Sequence, residues 1–382
     1  MDVIELMLLG LVLVCGIATC LSRNLLVSLV IFMAYSVVMS IVWVLLQAPD
    51  LAITEAAVGA GVSSVLLFLT LKKIRDIRKK VQDEKSEFRK WLKTWDAGEF
   101  DFTEALSDRA SLPQPDGGSK DHPWKLEPIN RLEQGEIKSF RKSYPFFAVA
   151  LCCIMIGFLL LTVEHLPTFG SPDAPAHNEV MERYVEKGME ETGAVNVVAG
   201  VILDYRAFDT LGESHVLYTA ATAVFILLLN LKGGGEPERE KKIMQSDPLL
   251  KSTARIIVPL VIVYGIYVIL GGHLGPGGGF SGGAVIGGGL ILYAIAFGFE
   301  PLDKILNLKV YRIVVLCALC FYSFAKCYSF FCGANHLETI FSPGTPGMIF
   351  SAGLILPLNI AVGIVVACTM YGFYSIFQRG RI

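Results

Sequence analysis

The stretch Val195–Leu231 reads VNVVAGVILDYRAFDTLGESHVLYTAATAVFILLLNL, and it indicates which kind of fold the chain has. Its second part, residues 214–231, is an apolar run long enough for a membrane-spanning helix. Four ionisable residues precede that run within ten positions: Asp204, Arg206, Asp209 and Glu213. Ionisable groups beside a membrane span are costly to bury, so they are normally paired, hydrated or functional.

Two interpretations of these ionisable residues are open. On a helix, Asp209 and Glu213 lie four positions apart and share a face, and Arg206 could neutralise one of the acids. This arrangement is typical of an ion or proton path. The simpler interpretation is a solvated loop in which Asp209 or Thr210 caps the next helix and Glu213 lies in its first turn. The simpler interpretation does not explain the apolar residues that lead into the charges.

Similar apolar runs recur along the whole chain. Hydrophobic residues make up 53% of the sequence and charged residues 18%, and the mean hydropathy is +0.55. The runs are about 18–25 residues long, which is the length that crosses about 30 Å of hydrocarbon as a helix. We therefore predict an all-α polytopic membrane protein with about nine spans. The predicted spans are 4–21, 25–47, 51–71, 145–163, 214–231, 255–272, 278–298, 309–330 and 350–376.

The distribution of basic residues predicts the orientation of the spans. LKKIRDIRKK, residues 71–80, follows the third span, and an excess of Lys and Arg is typical of cytoplasmic loops. Placing this segment inside the cell puts the N-terminus outside, the acidic loop 164–193 outside and the C-terminus inside.

Four regions follow from the spacing of the spans. They are a three-span domain at 1–71, a polar cytoplasmic segment at 72–142, a two-span domain at 143–235 and a four-span domain at 236–382. Residues 81–95 could form an amphipathic helix against the membrane or a partner, or belong to a simple linker.

The composition gives no indication of a cofactor or a nucleic acid. The net charge of −2 does not suggest nucleic acid binding. Cys317 and Cys320 have CxxC spacing, but inside an apolar helix this pair favours packing over metal or redox chemistry. There is no haem signature, flavin motif or cysteine cluster, so we predict no bound cofactor and no resident metal.

Glu55 lies a turn or more inside the third predicted span. Its neighbours Ala56, Gly59, Ala60 and Gly61 are small, which lets another helix approach closely. A carboxylate on such a face favours a proton or cation ligand. The alternative is a neutral, hydrogen-bonded Glu55 that holds two helices together.

The glycine-rich stretch 271–283 reads GGHLGPGGGFSGG and lies between two predicted spans. It lacks the GK[ST] of a phosphate loop and no strand precedes it. Glycine allows a broken helix end to line a cavity, and His273 could relay a proton. A tight re-entrant turn with a loop histidine is the equally plausible alternative.

Lys326 lies inside the eighth predicted span, about a turn from its outer end. It could extend towards the membrane surface, or it could pair with a carboxylate in a charge relay. The sequence leaves both alternatives open.

Three segments together resemble the Mrp family of multisubunit Na⁺/H⁺ antiporters. APDLAITEAAVGAG (48–61) resembles the small three-span domain in the C-terminal part of the large antiporter protein, a domain that is a separate subunit in membrane-bound hydrogenases. NVVAGVILDYRAFDTLGE (196–213) resembles the domain that follows it. GGHLGPGGGFSGGAVIGGG (271–289) resembles the antiporter's B subunit.

This resemblance implies a multi-pass subunit of the cytoplasmic membrane that contributes carboxylates to a cation/proton path. Glu55 and Glu213 would carry Na⁺ or protons, with transient Na⁺ near them, and Asp204, Asp209, His273 and Lys326 would extend the path. The long antiporter-like core of the family is absent, so the implied partners are other membrane subunits, including a large antiporter-like one. The alternative is a structural scaffold in a hydrogenase-like respiratory complex that carries no ion itself.

Overall fold

The computed structural model describes residues 3–72, 129–168, 171, 177–230 and 248–379. Within these ranges the protein is built from helices and their connections, without β-strands. The helices are α1 (Val3–Leu21), α2 (Leu25–Leu45), α3 (Pro49–Lys72), α4 (Ile129–Glu164), α5 (Glu179–Glu186), α6 (Gly188–Thr192), α7 (Val197–Gly200), α8 (Ala207–Asn230), α9 (Pro248–Leu270), α10 (Gly279–Phe297), α11 (Glu300–Ile305), α12 (Leu308–Ala334) and α13 (Ile355–Arg379). The prediction of an all-α polytopic membrane protein is confirmed.

Eight of the described helices are long and apolar enough to cross a membrane. They coincide with eight of the nine predicted spans. The remaining prediction, 214–231, falls on α8, which begins at Ala207 and carries Asp209 and Glu213 in its first two turns. The predicted orientation of the spans stays a prediction.

The chain forms two compact units, one from residues 1–82 and 180–382 and the other from residues 83–179. In the second unit, α4 begins at Ile129, inside the segment predicted as a polar linker. None of its described side chains, from Phe146 to Glu164, is buried. Residues 73–128 of the predicted linker, including the predicted amphipathic helix 81–95, lie outside the described residues.

The core of the first unit is α10, which packs between α9 and α13. A Cβ atom on Gly279, Gly283 or Gly287 would approach α13 to less than 3.0 Å. These glycines recur every fourth residue and therefore form one smooth face along α10. This face lets the two helix backbones approach closely, as small residues do in membrane helix pairs.

The helix α13 begins five residues later than the predicted span 350–376. Ala352 and Gly353 have φ angles of 66° and 51°, which place both in the left-handed region. A helix cannot pass through such residues, so it starts only at Ile355.

Two helices of the first unit contain or adjoin π-helical segments. One segment is Glu55–Ser63 within α3, and the other is Val201–Tyr205 between α7 and α8. Such segments are rare and often occur at functional sites. Both lie in the motifs that carry the predicted acids.

Candidate functional site

A cavity of about 510 Å³ lies in the first unit, where three parts of the chain meet. The start of α3 contributes Asp50 and Thr54, and the region from α7 to α8 contributes Arg206, Asp209 and Glu213. The third part is the glycine-rich loop with the start of α10, together with Asn359 on α13. The cavity is therefore bounded by the three motifs that the sequence singles out.

The polar lining of the cavity is mostly acidic. Asp50, Asp209 and Glu213 supply three carboxylates, against the single guanidinium of Arg206. Arg206 Nη2 lies 2.6 Å from Asp209 Oδ2, and both side chains are more than half exposed. Such an exposed pair contributes little stability. Glu213 forms no ion pair with any described residue, so the lining has an uncompensated negative charge that attracts cations.

The simpler sequence interpretation, in which Asp209 or Thr210 caps the following helix, does not match the structure. The helix α8 already begins at Ala207, so both residues lie inside its first turn. The Thr210 hydroxyl donates a hydrogen bond to the Ile202 carbonyl at 2.7 Å. This bond spans the break between the π-helical segment and α8 and holds the two in place.

Asp50 ties the three parts of the cavity wall together. Its Oδ1 accepts hydrogen bonds from the Gly277 backbone N–H at 2.8 Å and from Asn196 Nδ2 at 3.1 Å. The Asn196 amide also donates to the carbonyls of Gly272 and Gly275, at 3.0 and 2.9 Å. Residues far apart in the chain are thereby joined at one edge of the cavity.

The glycine-rich loop can make these contacts because of its backbone conformation. Gly277 has φ 146°, a conformation that residues with side chains rarely adopt. The sequence interpretation of a broken helix end that lines a cavity matches this geometry, since Gly277–Gly279 lie in the cavity wall.

Asp204 and Lys326 form an ion pair with Nζ and Oδ1 3.0 Å apart. The Lys326 side chain is only 3% exposed, whereas that of Asp204 is 42% exposed. One turn earlier on α12, the Tyr322 hydroxyl donates to the Ala207 carbonyl at 3.1 Å. Lys326 thus pairs with a carboxylate rather than extending to the membrane surface, and α12 is attached at two points to the broken helix.

Glu55 and His273 lie apart from the cavity lining. Glu55 begins the π-helical segment of α3, where its carboxyl lies next to Gly59 and to Ser36 on α2. His273 is fully buried, and its Nε2 donates to the Met348 carbonyl at 3.2 Å. Its Nδ1 has no partner among the described residues.

The structure therefore groups the six predicted residues into separate sets. Asp209 and Glu213 share the cavity, Asp204 and Lys326 form the ion pair, and Glu55 and His273 are each elsewhere. Within the described part of the chain, no three His, Cys, Asp or Glu side chains are grouped to hold a metal ion.

Three residues of the cavity and its edge were missed by the sequence interpretation. Asp50 lies in the first turn of α3, where an acidic residue is ordinary, but its carboxylate accepts hydrogen bonds from two other segments. Asn196 stands directly before an apolar helix, which signals a helix cap, and its Oδ1 does accept from Val198 N at 3.0 Å. The hydrogen bonds that its Nδ2 donates to other segments could not be predicted from the neighbouring sequence. Asn359, a lone amide in an apolar helix, was an available signal.

An exposed cluster supports the π-helical segment from outside the cavity. Arg183 Nη2 donates to Glu191 Oε1 at 2.9 Å, and the Tyr205 hydroxyl donates to the same carboxylate. The hydrogen bond from Arg183, followed by that from Tyr205, holds the pKa of Glu191 below its usual value. Tyr205 closes the π-helical segment, so this contact fixes one of its ends.

Three family models match the chain in succession. The first two are described as the D and E subunits of MBH, and they match residues 10–76 and 160–241 respectively. The third is described as a domain related to the MnhB subunit of the Na⁺/H⁺ antiporter, and it matches residues 249–372.

Among curated proteins, the uncharacterized protein MJ1307 of Methanocaldococcus jannaschii is 34% identical over 198 residues, which are 44% of this chain and 71% of that protein. The A/B protein of a probable K⁺/H⁺ antiporter from Rhizobium meliloti is 29% identical over 158 residues, which are 36% of this chain and 16% of that protein.

Among solved structures, that of the Mrp complex from Dietzia sp. DQ12-45-1b matches with a TM-score of 0.63 and 19% identity. The match covers 99% of this chain and 35% of that one, and it shows that the two share a fold.

Proposed function

Because the chain belongs to the family of Mrp antiporter and membrane-bound hydrogenase subunits, as a fusion of D-, E- and MnhB-like domains, we propose that it forms part of a cation/proton path across the cell membrane. It acts as a non-catalytic transporter subunit within a larger complex. The partners we propose are other membrane subunits of a Mrp-type or hydrogenase-like complex, including a large antiporter-like subunit.

One observation carries this proposal: the acidic cavity lies where the three domains of the fusion meet. Asp50 belongs to the D-like region, Arg206, Asp209 and Glu213 to the E-like region, and Asn359 to the MnhB-like region. A membrane carboxylate without an ion-pair partner, such as Glu213, suits the transient binding of a proton or a hard cation.

The other predicted residues take defined places in this proposal. Asp204 and Lys326 set the charge next to the cavity, since a buried lysine is stable only while it is paired. Glu55 carries the ion in the neighbouring D-like region. His273 extends the path at the glycine-rich loop, where its buried Nδ1 has no hydrogen-bond partner among the described residues.

The experiment determines which cation is exchanged, because the names of the similar proteins give Na⁺ in one case and K⁺ in another. Membrane vesicles that contain the whole complex are given a pH gradient, and Na⁺ or K⁺ is added while a fluorescent probe reports the gradient. We expect one of the cations to dissipate the gradient in the wild type, and Glu55→Gln and Glu213→Gln to lose at least about 90% of that rate. Glu190→Gln, an exposed acid outside the cavity, is the matched control.

A second candidate function is a scaffold that carries no ion. It is favoured by α1, none of whose residues is buried, and by α4, whose described side chains are also unburied. Apolar helix faces that are not buried within the described residues suit packing against neighbouring subunits. Intact assembly and unchanged exchange in both glutamate variants would support the scaffold and reject the ion path.

A further inference from the structure

The hydroxyl of Ser36 and the carboxyl of Glu55 share one narrow slot between α2 and α3. A Cβ atom built on Gly59 would lie 2.5 Å from Glu55 Oε1 and 2.8 Å from Ser36 Oγ. Gly59 lies one turn after Glu55 on α3, so the Glu55 carboxyl lies along the surface of its own helix, towards its C-terminal end. Both oxygen atoms occupy space that any other residue at position 59 would fill.

Ser36 is the unusual member of this slot. It is completely buried, and its hydroxyl has no hydrogen-bond partner among the described residues. Leaving a buried polar group without a partner costs free energy, so such a group calls for an explanation. The neighbouring Ser40 hydroxyl, by contrast, bonds to the Ser36 carbonyl of its own helix at 2.9 Å.

Among the described residues, the helices that pack most closely on the π-helical segment of Glu55 are α2 and α10. Neither of these two helices contains Asp, Glu, Lys, Arg or His. Beside Gly59, the polar side-chain group that lies next to the Glu55 carboxyl is the Ser36 hydroxyl.

We propose that Ser36 is the positioning residue for proton transfer at Glu55 and that Gly59 keeps their common slot open. Both oxygen atoms lie within 2.8 Å of the same point beside Gly59, so rotation of the Glu55 side chain can bring its carboxyl within hydrogen-bond distance of Ser36 Oγ. When Glu55 is ionised, the Ser36 O–H donates to the carboxylate; when Glu55 holds a proton, its own O–H donates to Ser36 Oγ. The proton binds to and leaves the carboxyl, and the serine hydroxyl only reorients.

The serine is suited to this role because a hydroxyl is both a donor and an acceptor. One side chain can thus stabilise both protonation states of Glu55 without a large movement. The inference rests on the proposed function, since it concerns the step that this function assigns to Glu55.

The test uses cation-driven dissipation of the pH gradient in vesicles that contain the whole complex. We expect Ser36→Ala to lower the exchange rate about tenfold, the size of effect expected for one hydrogen bond to a charged group. Ser36→Thr keeps the hydroxyl and should restore most of the rate. Ser40→Ala, one turn away on the same helix, is the control and should exchange like the wild type.

Gly59→Ala tests the slot itself. The nearest atoms to the added methyl group are the ends of the Glu55 and Ser36 side chains, so these side chains are displaced while the helix stays intact. We expect a loss of exchange at least as large as in Ser36→Ala, with a normal amount of assembled complex on a native gel. Gly16→Ala, whose methyl group would find its nearest atom 3.9 Å away on Tyr35, is the matched glycine control.

The outcomes separate this inference from the proposed function. Equal exchange rates in Ser36→Ala and Ser36→Thr would overturn it, because the hydroxyl that Thr keeps and Ala lacks would then make no difference to exchange. Wild-type exchange in Gly59→Ala would overturn it as well. If Glu55→Gln loses exchange in the same vesicles, the ion path stands and only the role of Ser36 fails. If Glu55→Gln exchanges normally, the inference fails together with the role of Glu55, and Glu213→Gln then decides whether the ion path stands.

Discussion

Asp50 Oδ1 accepts a hydrogen bond from Asn196 Nδ2 across a separation of 146 residues. The same oxygen accepts from Gly277 N, so one carboxylate joins the D-, E- and MnhB-like regions of the chain. In relatives that keep such domains in separate subunits, an equivalent contact would lie between chains. Here the fusion makes it an internal contact, which stabilises the cavity edge without an assembly step.

Replacing Asp50 by Ala should loosen this junction. The part-buried Gly277 N–H would lose its acceptor, and since a fully buried donor costs about 1–3 kcal/mol, we expect a loss near the lower end of that range in the free energy of unfolding. Thermal unfolding of the purified complex in detergent should therefore begin at a lower temperature.

Asn196→Ala should destabilise the protein more than Asn24→Ala. Both side chains cap a helix, since Asn24 Oδ1 accepts from Leu26 N and Asn196 Oδ1 from Val198 N. Only Asn196 also donates to other segments, so the difference between the two variants measures the junction. Equal shifts in unfolding temperature would show that the contacts of Nδ2 contribute nothing.

Breaking the pair of Asp204 and Lys326 should be costly, and removing both charges should be much less so. Asp204→Asn leaves the buried Lys326 ammonium without its carboxylate. A fully buried pair would lose about 3–5 kcal/mol, and because Asp204 is 42% exposed and solvent screens the pair, we expect a smaller loss. The double variant Asp204→Asn/Lys326→Met removes the unpaired charge and should recover most of this loss. Unfolding curves of the single and double variants test this, and additive losses would contradict it.

The membrane fold was predictable because it depends on the length of apolar runs, which is a local property of the sequence. Eight predicted spans coincide with helices. The late start of α13 comes from the backbone conformation of Ala352 and Gly353, which cannot be predicted from the hydrophobicity of the sequence. The site was less predictable. The partner of Lys326 lies 122 residues away and the partner of Asp50 at Gly277 lies 227 residues away, so local patterns could not choose between alternatives.

Gly283→Ala should destabilise the contact between α10 and α13. The added methyl group would lie 2.6 Å from the Gly363 carbonyl oxygen, and this backbone atom can move only if the helices separate. We expect a loss of about 1–3 kcal/mol, as for other overpacked cores. Gly212→Ala on α8 is the control, because no atom lies within 4 Å of its methyl group and alanine favours a helix by about 1 kcal/mol. Comparable unfolding temperatures for the two variants would rule out close packing at Gly283.

The contact of Glu191 with Arg183 and Tyr205 should give the protein a pH-dependent stability. The pKa of Glu191 is lowered in the folded protein from its ordinary value of 4.5, mainly by the hydrogen bond from Arg183. Above that ordinary value the stabilisation is fully present, and it is lost as the pH falls through the lower folded-state pKa. Wild type should therefore unfold at a higher temperature than Glu191→Gln at pH 7, and the difference should shrink below about pH 4.5. Glu190→Gln is the control and should show no such trend, because Glu190 lies outside this cluster. A difference in unfolding temperature between wild type and Glu191→Gln that stays constant from about pH 7 to about pH 3 would exclude a contribution from the charge of Glu191.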